Sequence, residues 1–113
     1  MELGTQERGT RNQEPGTTPP VTIALLSIEL YMPMSQSLKD KRMVLRRLKD
    51  RVGAMNVAVA EVAHQDLWQR AGLAVVTVAT DTHMAEETLS SAMREIDRLE
   101  PGLVTNSQIE FLK

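Results

Sequence analysis

The sequence predicts an α+β fold, a four-stranded antiparallel sheet with two helices on one face, strung in the order β-α-β-β-α-β. Three observations predict it. Two amphipathic stretches with helical period are each flanked by segments dense in β-branched and aliphatic residues, and the two middle segments follow one another with no helix between them. Capping and turn residues punctuate each boundary. At 113 residues, 42% apolar and without cysteine, the chain has the size of one domain with an aliphatic and methionine core.

Residues 1–20 hold three Gly, three Pro and four Thr, with Met1 and Leu3 as their only apolar side chains, so a disordered tail is expected there. Its Arg8 and Arg11 are offset by Glu2, Glu7 and Glu14, which argues against a nucleic-acid arm. The folded domain is expected over 21–113. Val21 to Tyr31, closed by Pro33, reads as the first strand. Ser37 with Asp40 three residues on has the spacing of a capping box, and the helix it opens carries Leu38, Val44, Leu45, Leu48 and Val52 on one stripe before Gly53 stops it. Asn56 to His64 and Leu73 to Thr80 read as the second and third strands, joined by a polar loop.

A second helix is expected from Asp81 or Thr82, with Glu86 and Glu87 in its first turn and Ala85, Leu89, Ala92, Ile96 and Leu99 on its apolar stripe. Glu100-Pro101-Gly102 ends it. Leu103 to Leu112 closes the chain as a fourth strand, Ile109 and Phe111 alternating with Gln108 and Glu110. Two split crossovers in this order give the ferredoxin-like sandwich.

Several function classes lack their chemistry. The longest apolar stretch, Val21 to Tyr31, is broken by Ser27 and Glu29 and falls well short of the roughly 20 residues of a membrane span. A polar N-terminus without an apolar h-region makes a cytoplasmic location the expectation. Two histidines and no thiol leave a metal centre to carboxylates. A Walker loop, a dinucleotide glycine pattern and a G-x-S-x-G setting for Ser27, Ser35 or Ser37 are all missing. The chain is therefore read as a non-enzyme, with no catalytic residue, metal or cofactor expected.

Helices on one side leave the other sheet face bare, and strands one to three carry aliphatics on both faces. Ile23 and Leu25 alternate with Ala24, Leu26, Ile28 and Leu30, and Val57 and Val59 with Ala58, Ala60 and Val62. A contiguous exposed patch marks an interface, so a homo-oligomer formed through that face or a strand edge is expected. Bases stacked on central strands, as in RNA-recognition motifs, are not expected, because strand one offers only a terminal Tyr31 and strand three no aromatic.

Charge is strongly polarised. Lys39 to Arg51 holds seven basic and two acidic residues, a local net of +5, whereas 81–100 holds six acids and two Arg, a net of −4. Lys39, Arg42, Arg46 and Lys49 share one sector of the first helix. With Ser37 and Lys41 they are the candidate RNA or anion contacts, and Lys39, Lys41 and Arg42 sit near the positive end of the helix dipole, where an anionic partner such as phosphate would compensate. The alternative is a solvated face pairing with acids of a neighbouring subunit. The acidic overall balance argues against strong non-specific nucleic-acid binding.

The run from Glu61 to Arg70 gathers the remaining unusual polar residues. Glu61, His64 and Asp66, with Trp68 and Arg70, are candidates for a small-ligand or metal site. Alternatively, His64 and Asp66 bond loop backbone while Trp68 covers the core edge. His83 is read as a surface residue, and the methionines, among them Met43, Met55, Met84 and Met93, as fillers of core gaps.

Ser37-Leu38-Lys39-Asp40-Lys41-Arg42 together with Val59-Ala60-Glu61-Val62-Ala63-His64-Gln65-Asp66-Leu67-Trp68-Gln69-Arg70-Ala71 resembles the bacterial YlxP-like family, catalogued as domain of unknown function 503. The resemblance spans about residues 21–113. It implies a ferredoxin-like fold and oligomers. The family's genes often sit among those for translation initiation and ribosome maturation factors, which implies a role with ribosomal RNA or the ribosome.

Overall fold

The computed structural model describes residues 20–113, so the tail expected over 1–20 lies, save for Pro20, outside the described residues. Strand β1 (Thr22–Tyr31) buries Thr22, Ala24, Leu26, Ile28 and Leu30 and turns Ile23, Leu25, Ser27, Glu29 and Tyr31 to the opposite face, the period-two pattern of a pleated strand. Helix α1 (Leu38–Val52) starts at the anticipated cap. Ser37 Oγ accepts from the Asp40 amide at 3.0 Å while Asp40 Oδ2 accepts from the Gln36 amide at 3.0 Å, two orphan donors satisfied together.

Strands β2 (Ala58–Ala63) and β3 (Arg70–Ala79) follow, then helix α2 (Thr82–Leu99) and strand β4 (Val104–Phe111). Strand β3 begins three residues earlier than the sequence predicts. The reason is its partner: Arg70 pairs with Tyr31, and the Met32 amide donates to the Gln69 carbonyl at 2.8 Å. Asp81 caps α2, accepting from the Met84 amide at 2.8 Å. Glu86 and Glu87 then fall beyond the first turn, which holds no acid, so the cap itself supplies the negative charge at that dipole. Further along α2, hydrogen bonds from Arg98 hold the Glu95 carboxyl below its usual range.

All pairings are antiparallel, in the spatial order β2-β3-β1-β4. Each helix thus crosses over a strand that fills the gap between the strands it joins, which is the ferredoxin-like arrangement. The core lies between sheet and helices: Ala24, Leu26, Ile28 and Leu30 of β1 and Leu73 and Val75 of β3 meet Leu45, Leu48 and Val52 of α1 and Leu89, Ala92 and Ile96 of α2. Met32 is fully buried and Met55 and Met93 pack against the core, but Met43 and Met84 do not fill gaps; both are exposed on the helices.

Among the described residues, no helix covers the other face of the sheet. Register places Ile23, Leu25, Val76 and Val78 together on it, continued by Ala74 and by Ala58 and Ala60 of β2, with Asn106, Gln108 and Glu110 of β4 at the far side.

Candidate nucleic-acid interface

Lys41 occupies position i of an i, i+4, i+7, i+11 series with Leu45, Leu48 and Val52, the buried face of α1. Only 1% of the residue is exposed. Its ammonium donates to the carbonyls of His64 (2.8 Å), Arg70 (3.1 Å) and Gln65 (3.4 Å) and pairs with Glu61 Oε2 at 2.8 Å. An ammonium buried without such partners would be prohibitive, and here every donor finds oxygen. Lys41 therefore fastens the β2–β3 loop to α1 instead of joining the surface cations expected to meet phosphate. The sequence did carry a signal, because the 41-45-48-52 spacing is a helical face.

Glu61 lies across from Leu73 on the helix side of the sheet. His64 goes the other way. The register shift between Glu61 and Ala63 places Ala63 beside Gly72 on the open face, and the left-handed backbone at His64 (φ 62°) keeps its ring on that face too, where Nε2 stands 3.1 Å from Glu29 Oε1. Gly72 sits between Ala63 and Glu29, and a Cβ there would come within 2.7 Å of Ala63 Cβ and 3.2 Å of Glu29 Oε2. The proposed trio of Glu61, His64 and Asp66 is thus split across the sheet. Among the described residues, no group of three or more His, Asp or Glu side chains is placed to hold a metal.

A side chain with a left-handed backbone costs about 1–2 kcal/mol where glycine costs nothing. His64→Gly is accordingly expected to unfold at higher denaturant than His64→Ala by a difference on the order of 1 kcal/mol, since both lose the Glu29 contact and only glycine relieves the backbone. Equal midpoints would show that the lysine clamp removes the strain.

Asp66, Trp68 and Arg70 line a cavity of about 350 Å³ with Tyr31, Leu67 and Gln69. Trp68 is 53% exposed, so it does not cover the core edge. The Arg70 guanidinium carbon lies 5.6 Å from the centre of the Tyr31 ring, a cation–π pair of cross-strand neighbours. Gln69 Nε2 donates to the Pro33 carbonyl (3.0 Å) and the Ser35 carbonyl (3.2 Å), which ties the loop to the entry of α1.

Helix α1, to which Lys41 fastens this loop, carries the other cations. Lys39, Arg42 and Arg46 are exposed, with no acidic partner among the described residues, and Lys49 is half-buried. Arg47 forms an ion pair with Glu100, so an acid at the end of α2 serves its own α1. Ser37 Oγ is occupied as the helix cap.

An antiparallel four-stranded sheet roofed on one side, with a basic helix beside an aromatic-lined loop, defines a small ferredoxin-like module that presents two distinct surfaces. Residues 23–109 match the family described as "Protein of unknown function (DUF503)", and the chain belongs to that family. It is 37% identical over 62 residues to "Uncharacterized protein YlxP" of Bacillus subtilis (strain 168), an alignment covering 54% of this chain and 67% of that one. Among solved structures it is similar to the de novo designed protein Foldit4 (TM-score 0.52, 14% identity, 82% of this chain and 97% of the other). A C-terminal segment of the alpha subunit of aIF2 from Pyrococcus abyssi aligns with TM-score 0.48 and 23% identity, over 83% of this chain and 51% of that one. The designed protein bears on the fold alone.

Proposed function

We propose that this chain is a non-catalytic, self-associating binding module of cytoplasmic translation or ribosome maturation, whose α1 cations hold the phosphates of structured RNA. One observation carries the reading: Lys39, Arg42 and Arg46 are exposed with no acid of the described chain against them, Lys39 in the first turn of the helix, at its positive end, and Arg42 and Arg46 further along it. The net charge of −2 limits non-specific attraction, so the contact is local and directed by RNA shape. Fluorescence anisotropy with a structured fragment of ribosomal RNA tests it. Affinity is expected to fall steeply as salt rises from 50 to 200 mM, and an affinity indifferent to salt would dispose of the reading.

Self-association is supported by the open face, where Ile23, Leu25, Val76 and Val78 form an apolar band against solvent. Val78 is the most exposed of the four, so Val78→Glu is expected to leave the fold intact and shift the sedimenting species to the single chain. Wild-type protein sedimenting as one chain at high concentration would remove this half of the reading. If charge reversal on α1 instead lowers the association state, with RNA binding absent throughout, the cations serve only contacts between copies.

A further inference from the structure

We infer that the cavity at the sheet end holds one unpaired nucleobase of the bound RNA, preferentially a guanine; this rests on the phosphate reading above. The chain has three aromatic residues, and two of them, Tyr31 and Trp68, line this one cavity. Trp68, Leu67 and Tyr31 are all exposed there, an apolar cluster the fold could have buried and does not. Flat surfaces are the common feature of the lining: the Trp68 indole, the Tyr31 ring and the Arg70 guanidinium, whose carbon lies 5.6 Å from the centre of that ring. Unpaired bases splayed from RNA stack on aromatic rings and on arginine planes. The volume of about 350 Å³ lies at the small end of ligand pockets, enough for a base and too little for a folded RNA element.

Charge and position say which strand enters. Arg70 sits in the wall, Gln69 binds the loop to the segment that leads into α1 and Lys41 binds it to the first turn, so the loop that forms the pocket is held at the end of the helix that carries Lys39 and Arg42. Asp66 sets the preference. An ionised carboxylate only accepts hydrogen bonds, and guanine alone presents two adjacent donors, N1–H and the N2 amino group, on its pairing edge; the other bases set each donor beside an acceptor. This site is separate from the central-strand platform of RNA-recognition motifs, which the strands here do not provide.

Trp68 is the chain's single tryptophan, so its emission reports on the pocket directly. The probes are guanosine monophosphate, a hexauridine, a uridine hexamer with one central guanine, and a fully paired RNA duplex. The guanine hexamer is expected to quench Trp68 and to bind about tenfold tighter than hexauridine. Trp68→Ala, at an exposed site and so without cost to the fold, should lower affinity for that hexamer about tenfold and leave the duplex unchanged. Asp66→Asn should bring the two hexamers level. Equal wild-type affinities for the hexamers, or an unchanged Trp68→Ala, overturn the pocket, and salt-dependent duplex binding in that case leaves the phosphate reading standing. Failure of the duplex and both hexamers to bind removes both readings. Quenching by guanosine monophosphate without any binding of RNA overturns the RNA-base assignment in favour of a free nucleotide.

Discussion

Lys41→Ala is expected to destabilise the domain by about 4 kcal/mol, read from urea unfolding followed by circular dichroism. Removing one partner of a buried ion pair typically costs about 3–5 kcal/mol, because the remaining charge stays desolvated and unpaired. Here the loss is compound: Glu61 keeps its carboxylate against α1, and the carbonyls of His64, Gln65 and Arg70 lose a shared donor. Lys41→Arg does not rescue it, since a planar fork cannot place a single nitrogen among four oxygens. The double change Lys41→Met with Glu61→Leu should recover much of the stability, as replacing an entire buried pair by apolar groups is often near neutral. A loss under about 1 kcal/mol for Lys41→Ala would mean that water reaches the ammonium and the clamp is not one.

The double reversal Arg42→Glu, Arg46→Glu should weaken RNA binding by on the order of a hundredfold or more at low salt. Two phosphate contacts vanish and two repulsions replace them, so the slope of log affinity against log salt should shrink by about 2 as well. Both residues are exposed and paired with no described acid, so folding should be unaffected. Each single reversal, Arg42→Glu or Arg46→Glu, is matched in charge by Arg94→Glu, at an exposed cation on α2, which is expected to leave affinity within about twofold. A parallel loss in that control would show a response to net charge and not to a site.

Element order was legible in the sequence because each signal is local. Ser37 with Asp40 and the cap at Asp81 are contained within a few residues, and both structured as the side-chain chemistry dictates. The alternation of β1 and the apolar stripe of α2 are likewise properties of single elements. The exposure of Arg42 and Arg46 followed from the same wheel. Lys41 did not, since residue type suggested a surface cation while its spacing with Leu45 marked it as buried. Only the acceptors across α1, from β2, the following loop and the first residue of β3, make that burial tolerable, and they lie 20 or more residues away in the chain.

The fate of the Glu61 to Arg70 run shows the same division. Composition alone marked the run as unusual, and the chain sequence by itself determined its residue types, its place between two strands and the fold around it. Which of those side chains meet was decided only in three dimensions. Glu61 and His64, three positions apart, take opposite faces as plain alternation requires, but the register shift moves Ala63 to the face of Gly72 and only the left-handed backbone at His64 keeps the ring on that face beside Glu29, while the pairing of Arg70 with Tyr31 gathers Trp68 and Asp66 into a cavity. The physical reason is that side-chain direction in a sheet has period two, so a single bulge reverses which face a residue joins, and a bulge is set by pairing with a distant strand and not by its own neighbours.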